Sequence, residues 1–268
     1  MPFLHVLEYS GLSDIGQVRT HNEDAIEICP ESGFVVLADG MGGYNAGEVA
    51  STMTTDVIAK ALKSKLRSHW AQVFPGSTAT VKRWIRDAVQ AANDSVIEAA
   101  QLNSEYAGMG TTVVVAHFHQ NVLLVAHVGD SRAYRYRADY LTQITHDHSV
   151  LQAQIDAGLI SAEFAQFSPI KNLITRAVGV QHEIDTEITE HALAEGDIYL
   201  LCSDGLTDML NHDEIHAIMA QHASDLGQCC QALVGSANAN GGRDNISVVL
   251  CRVKELRQRS FIDHIFAA

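Results

Sequence analysis

Antiparallel sheets covered by helices, an α+β arrangement, follow from three features of the chain. Apolar runs of strand length come in series, joined by short polar turns. The long stretches of helical periodicity stand together instead of alternating with strands. No Gly/Ser linker, charge run or low-complexity tract divides the chain. Strands in runs with helices grouped apart argue against a βαβ doubly wound sheet.

Taken in order, a first strand is expected at Phe3–Tyr9, followed by the apolar runs Ala25–Ile28 and Phe34–Ala38, the latter bounded by Gly33 and Gly40. Residues 46–66 carry helical periodicity, with Val49, Met53, Val57 and Leu62 near one stripe. A second helix is expected over 81–101, marked by Trp84, Ala88, Ala91, Ser95 and Ala99. Thr111–Phe118 and Val122–Val128 form a hairpin around His119-Gln120-Asn121, and Ala133–Arg137 and Tyr140–Ile144 another around Ala138-Asp139. Residues 148–179 read as a short helix ending at Gly158, then a polar, irregular stretch with Pro169, either a flap or an ordinary surface excursion. A strand at Ile198–Cys202, helices at Asp213–Gln221 and Leu226–Ala239, and a last strand at Ile246–Val253 complete the series. The tail 254–268 is expected to be helical.

The chain has 268 residues, 47% hydrophobic and 19% charged, enough for one large domain or two small ones. No run of about 18 apolar residues is present, and MPFLHVLEYS lacks the features of a secretory signal, so a cytoplasmic protein is expected. The five cysteines are odd in number and form no C-x-x-C pair, which points to reduced, buried thiols. A formal charge of −14 disfavours nucleic acid and anionic membrane as partners. It would also repel a phosphorylated substrate unless bound cations reversed the sign locally.

Apolar strands run directly into Asp in FVVLADG (Asp39), LLVAHVGD (Asp130) and IYLLCSDG (Asp204), while Asp244 opens the last strand in GGRDNISVVL. Glu23 and Asp24 precede the strand Ala25–Ile28. Each alone is explained by turn or cap chemistry. Gathered in one place, ionised carboxylates repel strongly, and a hard divalent cation with oxygen ligands is the usual compensation. Gly40, after Asp39, lets the backbone approach closely enough for its carbonyl to serve as a ligand.

The segments SDIGQVRTHNEDA (13–25), ADGMGG (38–43), GMGTT (108–112), GDSRAY (129–134), LTQITHDHS (141–149), NLITRAVG (172–179), CSDGLTDML (202–210) and GGRDNIS (241–247) occur in this order over nearly the whole chain. In them the sequence resembles the metal-dependent protein phosphatases of the protein phosphatase 2C family, in their bacterial form. The resemblance implies a four-layer α-β-β-α sandwich of two antiparallel sheets flanked by helix pairs. It also implies a single catalytic domain over 1–253, with a flap over about 148–179 and a separate tail. Asp39 would bridge two Mn2+ or Mg2+ ions, with the Gly40 carbonyl on one of them. Asp204 and Asp244 would hold the first ion, and Glu23 and Asp24 would serve the second, partly through water. Asp130 with Asp204, and Asp208 as a further candidate, match a third metal position. Arg19 matches the arginine that grips the substrate phosphate, so Arg19, Asp39 and Asp204 are the expected catalytic set. Substrates would be phosphoserine and phosphothreonine proteins, opposed to a bacterial Ser/Thr kinase, with the phosphatase a monomer. Chemistry would be in-line attack by a cation-activated water, without a phosphoenzyme.

One departure concerns the proton donor. Many members of the family carry His after the Asp-Gly, where this chain has Met41, which has no proton to give. His21, His146 and His148 are alternatives. Other phosphatase chemistries are not supported. Cys251 to Arg257 is a chance Cys-x5-Arg without glycine, no P-loop occurs, and Ser131 lacks the second glycine of a nucleophile elbow. The rival readings are a non-catalytic signalling module of the same fold and a hydrolase of small phosphate esters. Loss of a metal carboxylate would mark the former, and all the expected carboxylates are present.

Overall fold

The unbroken apolar runs of the sequence are strands covered on both faces. The computed structural model describes residues 5–43, 46–67, 76–161 and 173–256. One sheet contains β2 (Asp24–Cys29), β3 (Phe34–Met41), β5 (Val113–His119), β6 (Val122–Val128) and β9 (Glu187–Ala192) in the order β2-β3-β5-β6-β9, with the short β4 (Gly110–Thr111) on the end of β3. The other contains β1 (His5–Asp14), β7 (Arg132–Arg137), β8 (Tyr140–Gln143), β10 (Ile198–Cys202) and β11 (Ile246–Leu256) in the order β1-β11-β10-β7-β8. Every pairing is antiparallel.

The period of two along each strand sorts its side chains between layers. Val35, Leu37, Val114, Ala116, Leu123 and Val125 meet Tyr199, Leu201, Val249 and Cys251 between the two sheets. Their neighbours Phe34, Val36, Val113, Val115, Leu124 and Ala126 face α1 (Ala46–Leu66) and α2 (Thr78–Leu102). On the far side Leu200, Cys202, Val248 and Leu250 face α5 (His212–His222) and α6 (Leu226–Ala239). Helices, sheet, sheet, helices: the expected four layers are present.

Several elements differ from expectation. β1 runs to Asp14, five residues past Tyr9, because β11 offers it a partner as far as Ile246. Phe3 lies outside the described residues. β11 continues through Leu256, so residues 254–256 are strand and not the start of a helical tail. The rest of that tail lies outside the described residues. The edge strand β9, EITEHA, was not anticipated; its polar residues hide the alternation, and pairing with β6 makes it a strand. In α1 the buried stripe is Ala46, Ala50, Thr54, Ile58 and Leu62, with Val49, Met53 and Val57 only flanking it. Small side chains win that face because they let the helix lie close on the sheet. In α2 the buried face is Val81, Ile85, Ala88, Val89, Ala92 and Val96, leaving Ala91 exposed. The short helix of the flap region is α3 (Val150–Asp156), capped by the Ser149 hydroxyl; residues 162–172 lie outside the described set.

At the end of the inter-sheet seam, Asp197 is almost fully buried and forms two 2.6 Å contacts with the Arg137 guanidinium. It also accepts the Tyr199 hydroxyl and the Ala194 amide. Removing one partner of a buried, multiply bonded charge pair is strongly destabilising. Asp197→Ala is therefore expected to lower the unfolding free energy by about 3 kcal/mol, read as a reduced midpoint in urea.

Candidate metal centre

The carboxylates expected from the sequence gather at one rim of the sandwich, contributed by both sheets. Asp24 and Asp39 are cross-strand partners on β2 and β3, so the pleat sends their side chains to the same face. Asp39 lies two residues before the end of β3 and not at the terminus. Its backbone is fixed by Thr111 and Thr112: the Thr111 hydroxyl (2.8 Å) and Thr112 amide (2.9 Å) donate to its carbonyl, and its amide donates to the Thr112 hydroxyl. Asp204 opens the single turn α4 (Asp204–Thr207) directly after β10. Asp244 precedes β11 by two residues, and Asp130 follows β6 at a turn entered through Gly129, φ +105°.

Gly40 is required here by contact. Its amide donates to the Glu23 carbonyl at 3.0 Å, and a Cβ on it would collide with the Gly47 carbonyl oxygen. Only glycine lets the three backbone segments converge.

Two residues hold the two sheets' contributions in register, and sequence reasoning did not single them out. Asn245, buried, accepts the Glu23 amide (2.8 Å) and donates to the carbonyls of Ile15 and His21 (2.9 Å each). Ser203, also buried, donates to Asp24 Oδ2 at 2.8 Å. Their signal was adjacency: each flanks a predicted ligand, in CSDG and RDN.

Electrostatics shows that these groups share one space. Burial is the largest cause raising Asp39, followed by Asp24, Asp204, Asp130 and Asp244, which hold it well above the usual carboxylate range. Asp204 is raised in the same way, by burial and then by Asp130, Asp208, Asp244 and Asp24. Burial pushes Asp24 up to about 6 against the stabilising hydroxyls of Ser247 and Ser203. Asp130 also rises to about 6, through burial and then Asp147. Glu23 is raised by burial, opposed by Arg19 and the Gly47 amide. Each side chain is only partly covered at the mouth, yet protein surrounds it closely enough that charge is costly there.

The residues fit hard divalent cations. Glu23 Oε1 and Asp24 Oδ1 are buried and have no hydrogen-bond partner among the described residues, so lone pairs stand ready to be used. The donors are oxygens, the ligand set of magnesium and manganese. A different group, His127, His148 and Glu187, has ligand atoms all within 4.8 Å of one another. Protein partners already occupy it: His127 Nε2 lies 2.7 Å from the His146 carbonyl, Gly129 donates its amide to His148 Nδ1, and the Arg176 guanidinium lies 3.4 Å from His148 Nε2.

Arg19 stands at the rim, about half exposed, with Nη2 2.7 Å from Asp244 Oδ2. Of the alternative proton donors, His148 is stacked on His127 and pushed down to about 4, chiefly by burial, so it carries no proton to spare at neutral pH. His146 is exposed and bonded to Asp156. Met41 lines a cavity beside β3.

Carboxylate oxygens gathered at the rim of a two-sheet sandwich are the donor set that suits hard cations and hydrolytic chemistry. The chain belongs to the protein phosphatase 2C family, whose model matches residues 16–239. It is 35% identical over 250 residues to a serine/threonine phosphatase, stp, of Listeria monocytogenes, covering 92% of this chain and 96% of that protein. It is also 35% identical over 252 residues to the protein phosphatase PhpP of Streptococcus pneumoniae, covering 93% and 98%. The fold matches the crystal structure of the Stp1 phosphatase of Staphylococcus aureus with a TM-score of 0.82 at 32% identity, over 93% of this chain and 96% of that one. It matches the PstP catalytic domain in complex with two manganese ions with a TM-score of 0.81 at 34% identity, over 93% and 99%. No helix among the described residues is long and apolar enough to cross a membrane.

Proposed function

We propose that the protein is a metal-dependent protein serine/threonine phosphatase that reverses the action of a cognate kinase. The observation that carries this is the gathering of Asp24, Asp39, Asp130, Asp204 and Asp244 at one rim, where strands of both sheets end, in a chain of the phosphatase 2C family. In this reading Asp39 and the Gly40 carbonyl would help to hold two cations. Asp204 and Asp244 would hold the first, Glu23 and Asp24 would serve the second, and Asp130 with Asp204 and Asp208 would offer a third position. Cations there supply Lewis acidity and a water whose pKa is lowered towards neutrality. Asn245 and Ser203 keep the carboxylates of the two sheets at fixed separation. Arg19 binds the substrate's phosphoryl oxygens through its planar fork, exchanging Asp244 for phosphate. Met41 has no proton to give, so the leaving group takes its proton from another donor.

The domain is a single catalytic unit that takes in the whole of β11, through Leu256, with a flap around 148–179, working as a monomer. Cytoplasmic location is supported by five cysteines that are all free and buried, as a reducing compartment keeps them.

The test is release of phosphate from a phosphothreonine peptide and from p-nitrophenyl phosphate, each with manganese and with chelator. Chelator-sensitive hydrolysis of the peptide is expected. No chelator-sensitive release from either substrate would overturn the enzyme reading, and release from the small ester alone would favour the small-molecule hydrolase. Arg19→Ala is expected to raise KM for the peptide about tenfold with a smaller change in kcat, and an unchanged KM would show that Arg19 does not hold the phosphate.

A further inference from the structure

Beside the carboxylate rim lies a cavity of about 200 Å³ whose walls are mainly apolar: Met41, Ile174, Ala177, Val180 and Ile184. It is joined to the metal centre by short covalent and hydrogen-bonded links. Met41 is two residues along β3 from Asp39, and Val178 exchanges backbone hydrogen bonds with Thr111 (3.0 and 2.8 Å), whose hydroxyl holds the Asp39 carbonyl. At about 3.3 Å per residue of extended chain, Met41 and Asp39 are about 7 Å apart, the span of two residues of an extended peptide.

The wall is preformed. Asn93, fully buried in α2, accepts the Gly179 amide (2.8 Å) and donates to the carbonyls of Gln181 (2.8 Å) and His182 (3.2 Å). Gly179, at φ +90°, packs so closely that a Cβ would collide with Val96. The loop that closes the cavity is therefore tied to the helix layer through three hydrogen bonds.

The rim is charged, and unevenly so. Arg176 is neutralised by Asp185 at 3.0 Å. Glu183, also at the rim and exposed, has no hydrogen-bonding or ionic partner among the described residues. A half-open, mainly apolar cavity with an unpaired carboxylate at its edge is complementary to a lysine or arginine side chain, whose methylene stem lies along the apolar wall while its charge stays near water.

Resting on the phosphatase reading, we propose that this cavity is a subsite for a basic side chain of the substrate, one to three residues from the phosphorylated residue, with Glu183 as its specificity determinant. Ordinary exposed ion pairs are weak, so the preference is modest and comes from Glu183 and stem burial together.

The experiment uses the full chain with manganese and a set of phosphothreonine peptides carrying Lys, Arg, Gln or Glu at each position from −3 to +3. Wild type is expected to favour Lys or Arg over Gln at one of these positions by about three- to fivefold in kcat/KM. Glu183→Gln should erase that preference and Glu183→Lys should turn it towards Glu, while both variants hydrolyse p-nitrophenyl phosphate, which has no flanking residue, at the wild-type rate. Equal kcat/KM for Lys, Gln and Glu at every position, or a basic preference that survives in Glu183→Lys, would overturn the subsite. Hydrolysis of every peptide without discrimination would leave the phosphatase reading intact, whereas failure to hydrolyse any peptide would overturn that reading and the subsite with it.

Discussion

Asp39→Asn is expected to cut turnover by at least about 10³-fold and, in the metal-free protein, to raise the melting temperature. The first effect follows from its position, since it faces Asp24 across the β2–β3 pair and is raised by Asp24, Asp204, Asp130 and Asp244 together. Asn keeps the shape and one acceptor oxygen but not the charge through which the proposed centre would bind cations. The second effect has the opposite sign for the same reason. Without cations, a charge at this point is repelled from every side, and removing it relieves the folded state. A gain of about 1 kcal/mol would appear as roughly 2–4 °C. The two readouts guard each other, because loss of turnover with a rise in melting temperature cannot come from misfolding. Wild-type turnover in the variant, or a fall in metal-free stability, would contradict the assigned place of Asp39.

Added manganese is expected to raise the melting temperature more at pH 7 than at pH 5. Asp24 and Asp130 sit at about 6 in the folded protein, above their ordinary value of 3.8. Between roughly pH 4 and 6 the folded state therefore holds protons that the unfolded state has released. Their contribution to stability is complete below about pH 4 and is lost as pH rises through 6. His148, pushed down to about 4, acts in the other direction, losing stability as pH falls from its ordinary 6.5. Its effect is present with and without metal and cancels in the difference. What remains is competition between protons and cations for the same carboxylates, which favours cations as pH rises. At a free concentration 100 times the dissociation constant, one site adds about 2.7 kcal/mol. A manganese-induced shift that is equal at both pH values, or larger at pH 5, would contradict proton–metal competition at this rim.

Much of this centre could be read from the sequence because its parts are local signals. A buried strand that runs into Asp-Gly announces both the strand and a carboxylate that the backbone cannot bury further, as at Asp39 and Asp204. Ser203 and Asn245 were harder to single out because their role exists only across the sheets: Asn245 touches Glu23 from more than two hundred residues away. The misplaced helix stripes have a similar origin. Periodicity chose Val49, Met53 and Val57 for their size, whereas packing on a sheet favoured the small Ala46, Ala50 and Thr54. β9 escaped notice because an edge strand with one exposed face carries polar residues that do not alternate cleanly.

The placement of Asp24 and Asp39 on strands of one sheet, and of Asp204 and Asp244 just beyond the ends of strands of the other, has a mechanical side. The rim lies across the joint where the two sheets meet, so charge there acts as a force between them. Without cations the carboxylates press the joint apart at this end, and Ser203, Asn245 and the Arg19–Asp244 contact resist as ties. With cations bound there as proposed, the sign would reverse and the same residues would become a clasp, leaving the sandwich sprung at one edge with a tightness set by the ions that reach it.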